Sequence, residues 1–318
     1  MPLTGVPWAV DQALTSARMG RRLAYAATGG KEGVVAPADL KVSAVPGASV
    51  NIAAGGYVAL NRYPNQPSQS YMGAAESVTN IAVAAVGGAA RSDAILLRID
   101  DPEYGGTVPA DRAVGPYEKF VVVTGVSATL KDATELGLAY PAILLARIDR
   151  AANATTVVAG DIKDMRKLAQ PRYSSDVFMT QPQSGTPGDV LTQAAFRKFP
   201  ANWDAPVVIP DWATHCAIVS EMSAMGATGG SATGSLRSVL SAAPDSVVSA
   251  SVGYDTTSVT DGNRVNALIA LGGAIPAAMR GKSGIVYIDG LKSGGAGTIR
   301  IQSGTTILHR VEFFEKIV

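Results

Sequence analysis

The sequence predicts a mainly β protein, with an N-terminal helix running into a β-rich domain, then a linker, then a C-terminal β-sandwich of jelly-roll type. Three observations carry this expectation. Of the 318 residues, 47% are hydrophobic, 17% charged and 6% aromatic, with 34 glycines, a composition suited to short strands and turns rather than a helical bundle. Apolar and polar residues alternate with period two in many short runs separated by Gly-rich turns. One strand-like stretch also occurs twice, as Ala94 to Asp100 and Ala142 to Asp149. Aligned on their shared Arg-Ile-Asp, Ile95, Leu97 and Ile99 match Leu144, Ala146 and Ile148 on one face. The opposite face carries Arg98 with Asp100, and Arg147 with Asp149. That pattern predicts two half-buried strands of one sheet, with surface ion pairs contributing roughly 0–1 kcal/mol each.

The elements follow in order. Residues 8–27 have Val10, Leu14, Ala17 and Ala24 at helical spacing, with Arg18, Arg21 and Arg22 toward the end and Gly29-Gly30 as the stop. This predicts a helix whose arginines face solvent and suit the C-terminal dipole. Strands are expected at Leu40–Ala44, Val50–Ile52, Tyr57–Leu60 and Ile81–Ala85, with a Pro/Gln/Ser loop at 64–70. After a loop at 101–116, Phe120 to Val123 read as a strand buried on both faces. Asp161 to Leu168 read as a short helix capped by Asp161. The first domain is thus placed at 1–169. The Pro/Gly/Gln-rich stretch 170–205 reads as linker or extended arm, and 206–318 as the sandwich. In the latter, strands are expected around Cys216–Ile218, Val265–Leu271, Ile285–Ile288 and Ile299–Ile301. The last strand sets Ile307, His309, Val311, Phe313 and Ile317 on its apolar face.

Few chemistries survive this reading. A net charge of +1 argues against nucleic acid or an anionic membrane as partner. One cysteine and two histidines exclude an intramolecular disulfide and a Cys/His zinc site. Met1-Pro2-Leu3-Thr4 lacks a charged region followed by an apolar run, so synthesis in the cytoplasm is expected. No stretch approaches the ~20 apolar residues of a membrane-spanning helix. Gly281-Lys282-Ser283 imitates the end of a P-loop, but Pro276 stands where the motif needs its first glycine and a strand follows. His215 and Cys216 are adjacent on a strand and face opposite sides. Asp100, Asp101 and Glu103 read as solvated loop carboxylates, and Trp203 and Trp212 as core or subunit-contact residues. No catalytic residue, metal site or cofactor is expected, and the protein is not read as an enzyme. The one binding candidate is Tyr254, Asp255, Asp261, Asn263 and Arg264, an aromatic face beside groups able to hydrogen-bond sugar hydroxyls. The competing reading is a polar hairpin with Asp261-Gly262 as its turn.

Eight pieces of the first half carry a resemblance. After the N-terminal helix they are Gly33-Val34-Val35, Leu40-Lys41-Val42 and Val50 to Gly55. Next come Arg91-Ser92-Asp93 before Leu97-Arg98-Ile99-Asp100 and the Asp101-Pro102-Glu103-Tyr104 turn, then Leu144 to Ile148, and finally Asp161 to Arg166. In this order and spacing they resemble a family of tailed-bacteriophage minor tail and baseplate structural proteins. The resemblance implies a virion component that forms homo-oligomers, often trimers, contacts other tail proteins, anchors by its N-terminal half and displays a variable C-terminal half. The expected function is a structural part of a tail tip or baseplate with a C-terminal domain for attachment to a host-surface glycan. The alternatives are a tail-associated enzyme that cleaves surface polysaccharide and a secreted carbohydrate-binding module.

Overall fold

A computed structural model describes residues 16–64, 68–181, 190–256 and 264–317. The protein is mainly β with a single α-helix among the described residues, and it divides into two compact units. One comprises Met1–Gln170 with Ile317–Val318, the other Pro171–Lys316.

In the first unit the helix spans Ala17–Thr28. The Ser16 hydroxyl caps it by accepting the Met19 amide at 3.4 Å, and Gly29 ends it at φ 58°. The expected residues up to 15 lie outside the described ones. Arg21 does not face solvent but is buried. The central sheet runs Ile162–Asp164, Ala142–Arg150, Arg91–Ile99, Glu118–Val126, every neighbour antiparallel. The two copies of the repeat are therefore paired side by side. They are not half-buried, however. Ile95, Leu97, Ile99, Ile143, Leu145 and Ile148 enter one core, while Ala94, Leu96, Ala142 and Leu144 enter a second on the other face, beneath Leu130 and Ala133. A β-bulge separates the copies' patterns: Ile95 opposes Ala146 and Leu96 opposes Leu144, leaving Leu145 as the extra residue. Leu144 is thereby turned away from the face shared by Ala146 and Ile148.

Two three-stranded sheets complete the first core. One is Gly33–Val34, Gly55–Leu60, Ser70–Ala75, and the other Val42–Ala44, Ser49–Ile52, Thr79–Ala82. They contribute Val34, Tyr57, Val42, Val50 and Ile52. Two further expectations are corrected. Phe120 to Val123 are only half-buried, because Glu118–Val126 is the edge of its sheet. Residues 161–168 form no helix: a 3-10 turn at Ala159–Asp161 gives way to the strand Ile162–Asp164, paired with Ala146 to Ile148. The Asp161 carboxylate accepts the Val158 amide, so it closes the turn before it rather than starting a helix after it.

The second unit is a β-sandwich of two six-stranded sheets. In one, Tyr173–Thr180 pairs with Thr306–Phe314, which pairs with His215–Thr228, which pairs with Arg264–Ala274; Val190–Leu191 and Thr298–Arg300 extend it. In the other, Arg197–Lys198 and Ala205–Val208 flank Ser283–Gly294, followed by Thr233–Ala242 and then by Asp245–Val248 and Val252–Asp255. The facing sides share Met222, Leu236, Ile269, Ile288 and Ile307 in one cluster and Ile218, Leu240, Val286, Val311 and Phe313 in another. The stretch 170–205 is not simply linker. Tyr173–Thr180 keeps eight-residue register with the final strand and turns Phe178 into the core, so it is bound as part of the sheet.

Candidate functional site

The predicted binding loop is only partly described. Tyr254 is 8% exposed and belongs to the core of the sandwich. It lies opposite Gly234 in register, and a Cβ at Gly234 would come within 2.4 Å of the tyrosine hydroxyl. The missing side chain is what lets the ring lie flat on its neighbour strand. The hydroxyl donates to the Leu291 carbonyl at 3.1 Å, and burial pushes the phenol up to about 12. This ring therefore presents no face for a sugar. Asp255 and Arg264 are exposed, one at the end of a strand in each sheet. The Arg264 guanidinium donates to the carbonyls of Ser303 at 3.0 Å and Ala224 at 3.4 Å. Asp261 and Asn263 lie outside the described residues.

A cleft of about 410 Å³ in the first unit is lined by Arg21, Tyr71, Asp100, Asp101, Glu103, Arg112 and Tyr117 among others. Arg21 reaches from the helix to Gln69 (2.7 Å), Asp101 (3.2 Å), Glu103 (2.6 Å) and the Tyr104 hydroxyl (2.7 Å). Its guanidinium also lies 5.1 Å from the Tyr104 ring centre and 5.6 Å from that of Tyr71. The Tyr71 hydroxyl donates to Asp101 at 2.9 Å, and burial, with that carboxylate, moves its pKa upward. Asp100 is buried, in contrast to the solvated carboxylate expected, and lies between Arg98 Nε (2.8 Å) and Lys119 Nζ (2.6 Å). Burial pushes its carboxyl up, but Lys119 and Arg98 outweigh that and hold it below its usual range. Acid and base here neutralise one another. The arrangement fastens the helix to the Asp101–Tyr104 turn and leaves no carboxylate poised for proton transfer.

Inside the sandwich, Ser238, Ser220 and His309 form a chain, with 2.8 Å between the two hydroxyls and 2.7 Å from Ser220 Oγ to His309 Nδ1. The distances suit a nucleophile and its base. All three side chains are fully buried, and Trp203 stacks on the imidazole at 4.9 Å between ring centres. Burial pushes the imidazole down to about 4, so it is neutral near pH 7. A substrate has no access to this pair, which acts as a polar strut between the two sheets. His309 was placed on the apolar face by sequence alternation, but its serine partners were not legible. They come from two other strands. Cys216 is buried, while half-buried His215 stacks on Phe314, on the opposite side of its strand as expected.

No protein-family model matches this chain, and a sequence comparison with curated proteins finds no match. Three solved structures illustrate the structural comparison. The VP2 subviral particle of infectious bursal disease virus aligns 91% of this chain with 76% of its own, at 14% identity and a TM-score of 0.21. Dimeric latent PorU from Porphyromonas gingivalis aligns 93% with 26%, at 10% identity and 0.26. A carbohydrate-binding module of the β-sandwich superfamily aligns 91% with 98%, at 10% identity and 0.17. Scores this low transfer neither a fold nor an activity.

Proposed function

We propose that this chain is a non-enzymatic structural component of a bacteriophage tail tip or baseplate. In this reading it assembles in the virion with copies of itself and with other tail proteins. The first unit anchors it, and the β-sandwich attaches to a host-surface glycan. One observation supports the reading: the scattered pieces that resemble minor tail and baseplate proteins meet in the first unit. Gly33, at φ 140°, lies against the Lys167 carbonyl, where a Cβ would come within 2.0 Å. The Val34 amide donates to that same carbonyl at 2.7 Å, and Ala169 returns a bond to Val34 at 2.9 Å. Arg166 pairs with Asp164 and donates to the carbonyls of Pro37 (2.9 Å) and Asp39 (2.5 Å). Val34, Val42, Ile52 and Ile99, each from a different piece, and Leu145 and Ile148 from a fifth also share one core, so motifs far apart in sequence are parts of one framework, as one shared with a family would be.

Attachment is assigned to the end of the sandwich where Asp255 and Arg264 are exposed, with Tyr254 removed from the contact. Immunogold labelling of phage particles released from a bacterium encoding the chain tests the reading. Gold at the tail tip or baseplate is expected, and intact particles that carry none overturn it. Incubation with host envelope glycans should release no new reducing ends; sustained release with turnover would overturn the non-enzymatic assignment.

A further inference from the structure

The outer surfaces of the two sheets in the sandwich differ in how their apolar residues are placed. On the sheet built around Ser283–Gly294, Arg237 bonds Asp289 at 2.9 Å and its guanidinium covers Phe196 at 4.0 Å from the ring centre, while the exposed Val208, Val248 and Val252 are spread over three short strands. The other sheet exposes an apolar face four strands wide, whose register can be read across Tyr173–Thr180, Thr306–Phe314, His215–Thr228 and Arg264–Ala274. One row is Val177, Arg310, Val219, Ala270, and the next is Met179, Leu308, Glu221, Leu268. Met179 is 72% exposed, Leu268 63% and Val177 60%. Such large side chains in adjacent rows form a patch rather than scattered singles.

Two features say what covers it. The first is shape. One lateral edge carries the bulky Tyr173, Val177 and Met179, while the opposite edge carries exposed Ala274, Ala270 and Leu268 in the matching rows. A second copy turned about an axis along the strands sets Tyr173 and Val177 over the partner's small Ala274 and Ala270, and Met179 over its apolar Leu268. The second is charge. Arg310, Glu221 and Glu312 stand on this face without an ion pair or side-chain hydrogen bond among the described residues. The same rotation places Arg310 one row from the partner's Glu221. Four strands about 4.8 Å apart and about 26 Å long present about 500 Å² per copy. Two copies then bury about 1,000 Å², the lower limit for a specific interface.

We infer that this face binds the same face of a second copy of the chain, sheet against sheet across a two-fold axis. The inference deepens the self-association in the proposed function by naming its surface. The trimer implied by the family resemblance rests on no feature of this face.

Light scattering and sedimentation on the full chain at about 10 µM test it. The wild type should have the mass of two copies or a multiple of two. The double substitution Met179→Lys with Leu268→Lys should raise the dissociation constant at least about 100-fold and give monomer with unchanged near-ultraviolet circular dichroism. Arg310→Glu should weaken pairing, and adding Glu221→Arg should restore it, which non-specific stickiness would not do. A monomeric or trimeric wild type, an assembly that survives the double substitution, or a charge swap that restores nothing overturns the inference. Those outcomes are distinct from unlabelled virions, which bear on the proposed function and leave this face untouched.

Discussion

At the scale of single residues, the most consequential groups are buried ones whose partners come from distant strands. His309 is neutral in the fold down to about pH 4, whereas in the unfolded chain it takes up a proton near 6.5. Its contribution is therefore complete above about pH 6.5 and lost as pH falls toward 4, by roughly 3 kcal/mol in total. Urea midpoints measured between pH 7 and 4 should fall more steeply for the wild type than for His309→Gln, and parallel curves would contradict this origin. Asp93 is the counterpart in the first unit. Burial pushes its carboxyl up, but Arg91 (2.7 Å), Arg150 (2.8 Å) and the Gly125 amide (3.1 Å) outweigh that and hold it ionised. Asp93→Ala leaves Arg150 buried without its counter-charge, and a loss of about 3–5 kcal/mol is expected by denaturant unfolding.

At the scale of elements, what could be read from the sequence depended on how one-sided the burial was. Val50-Asn51-Ile52 and Ile299-Arg300-Ile301 alternate cleanly because one face meets the core and the other does not. Tyr173–Thr180 gives no such signal, since Val177 and Met179 point outward and are as apolar as inward Phe178. The stretch therefore reads as arm until its pairing with the final strand is seen. Phe178→Ala should cost roughly 2–3 kcal/mol of stability, whereas Ser175→Ala should cost almost nothing; equal effects would mean the segment contributes no core packing. The repeat shows a different limit. Its copies were recognisable, but the extra Leu145 changes the phase of the second, and a bulge leaves no mark on composition. The aromatic member of the binding candidate is illegible for a third reason. Tyr254 looks like a surface aromatic until Gly234, 20 positions earlier in the chain and opposite it in register, is known to make room for its ring.

At the scale of the molecule, the mainly β class was legible from composition and turn spacing, while the path of the chain between the units was not. The second unit begins and ends in paired strands: Tyr173 opposes Phe314, and Arg172 clasps Glu315 at 2.6 Å just outside that pair. Residues 171–316 expressed alone should accordingly melt in one cooperative transition, and a fragment without near-ultraviolet signal would refute that independence.

The clasp has a further consequence. A module that enters and leaves its host chain at one place can be exchanged through two neighbouring peptide joints. A different module with similarly spaced ends would leave the first unit's short-range folding instructions unaltered. Selection could then replace the second unit wholesale, by recombination at two nearby points, while the first unit changes by point mutation. The two halves of this chain are thus free to keep different evolutionary clocks.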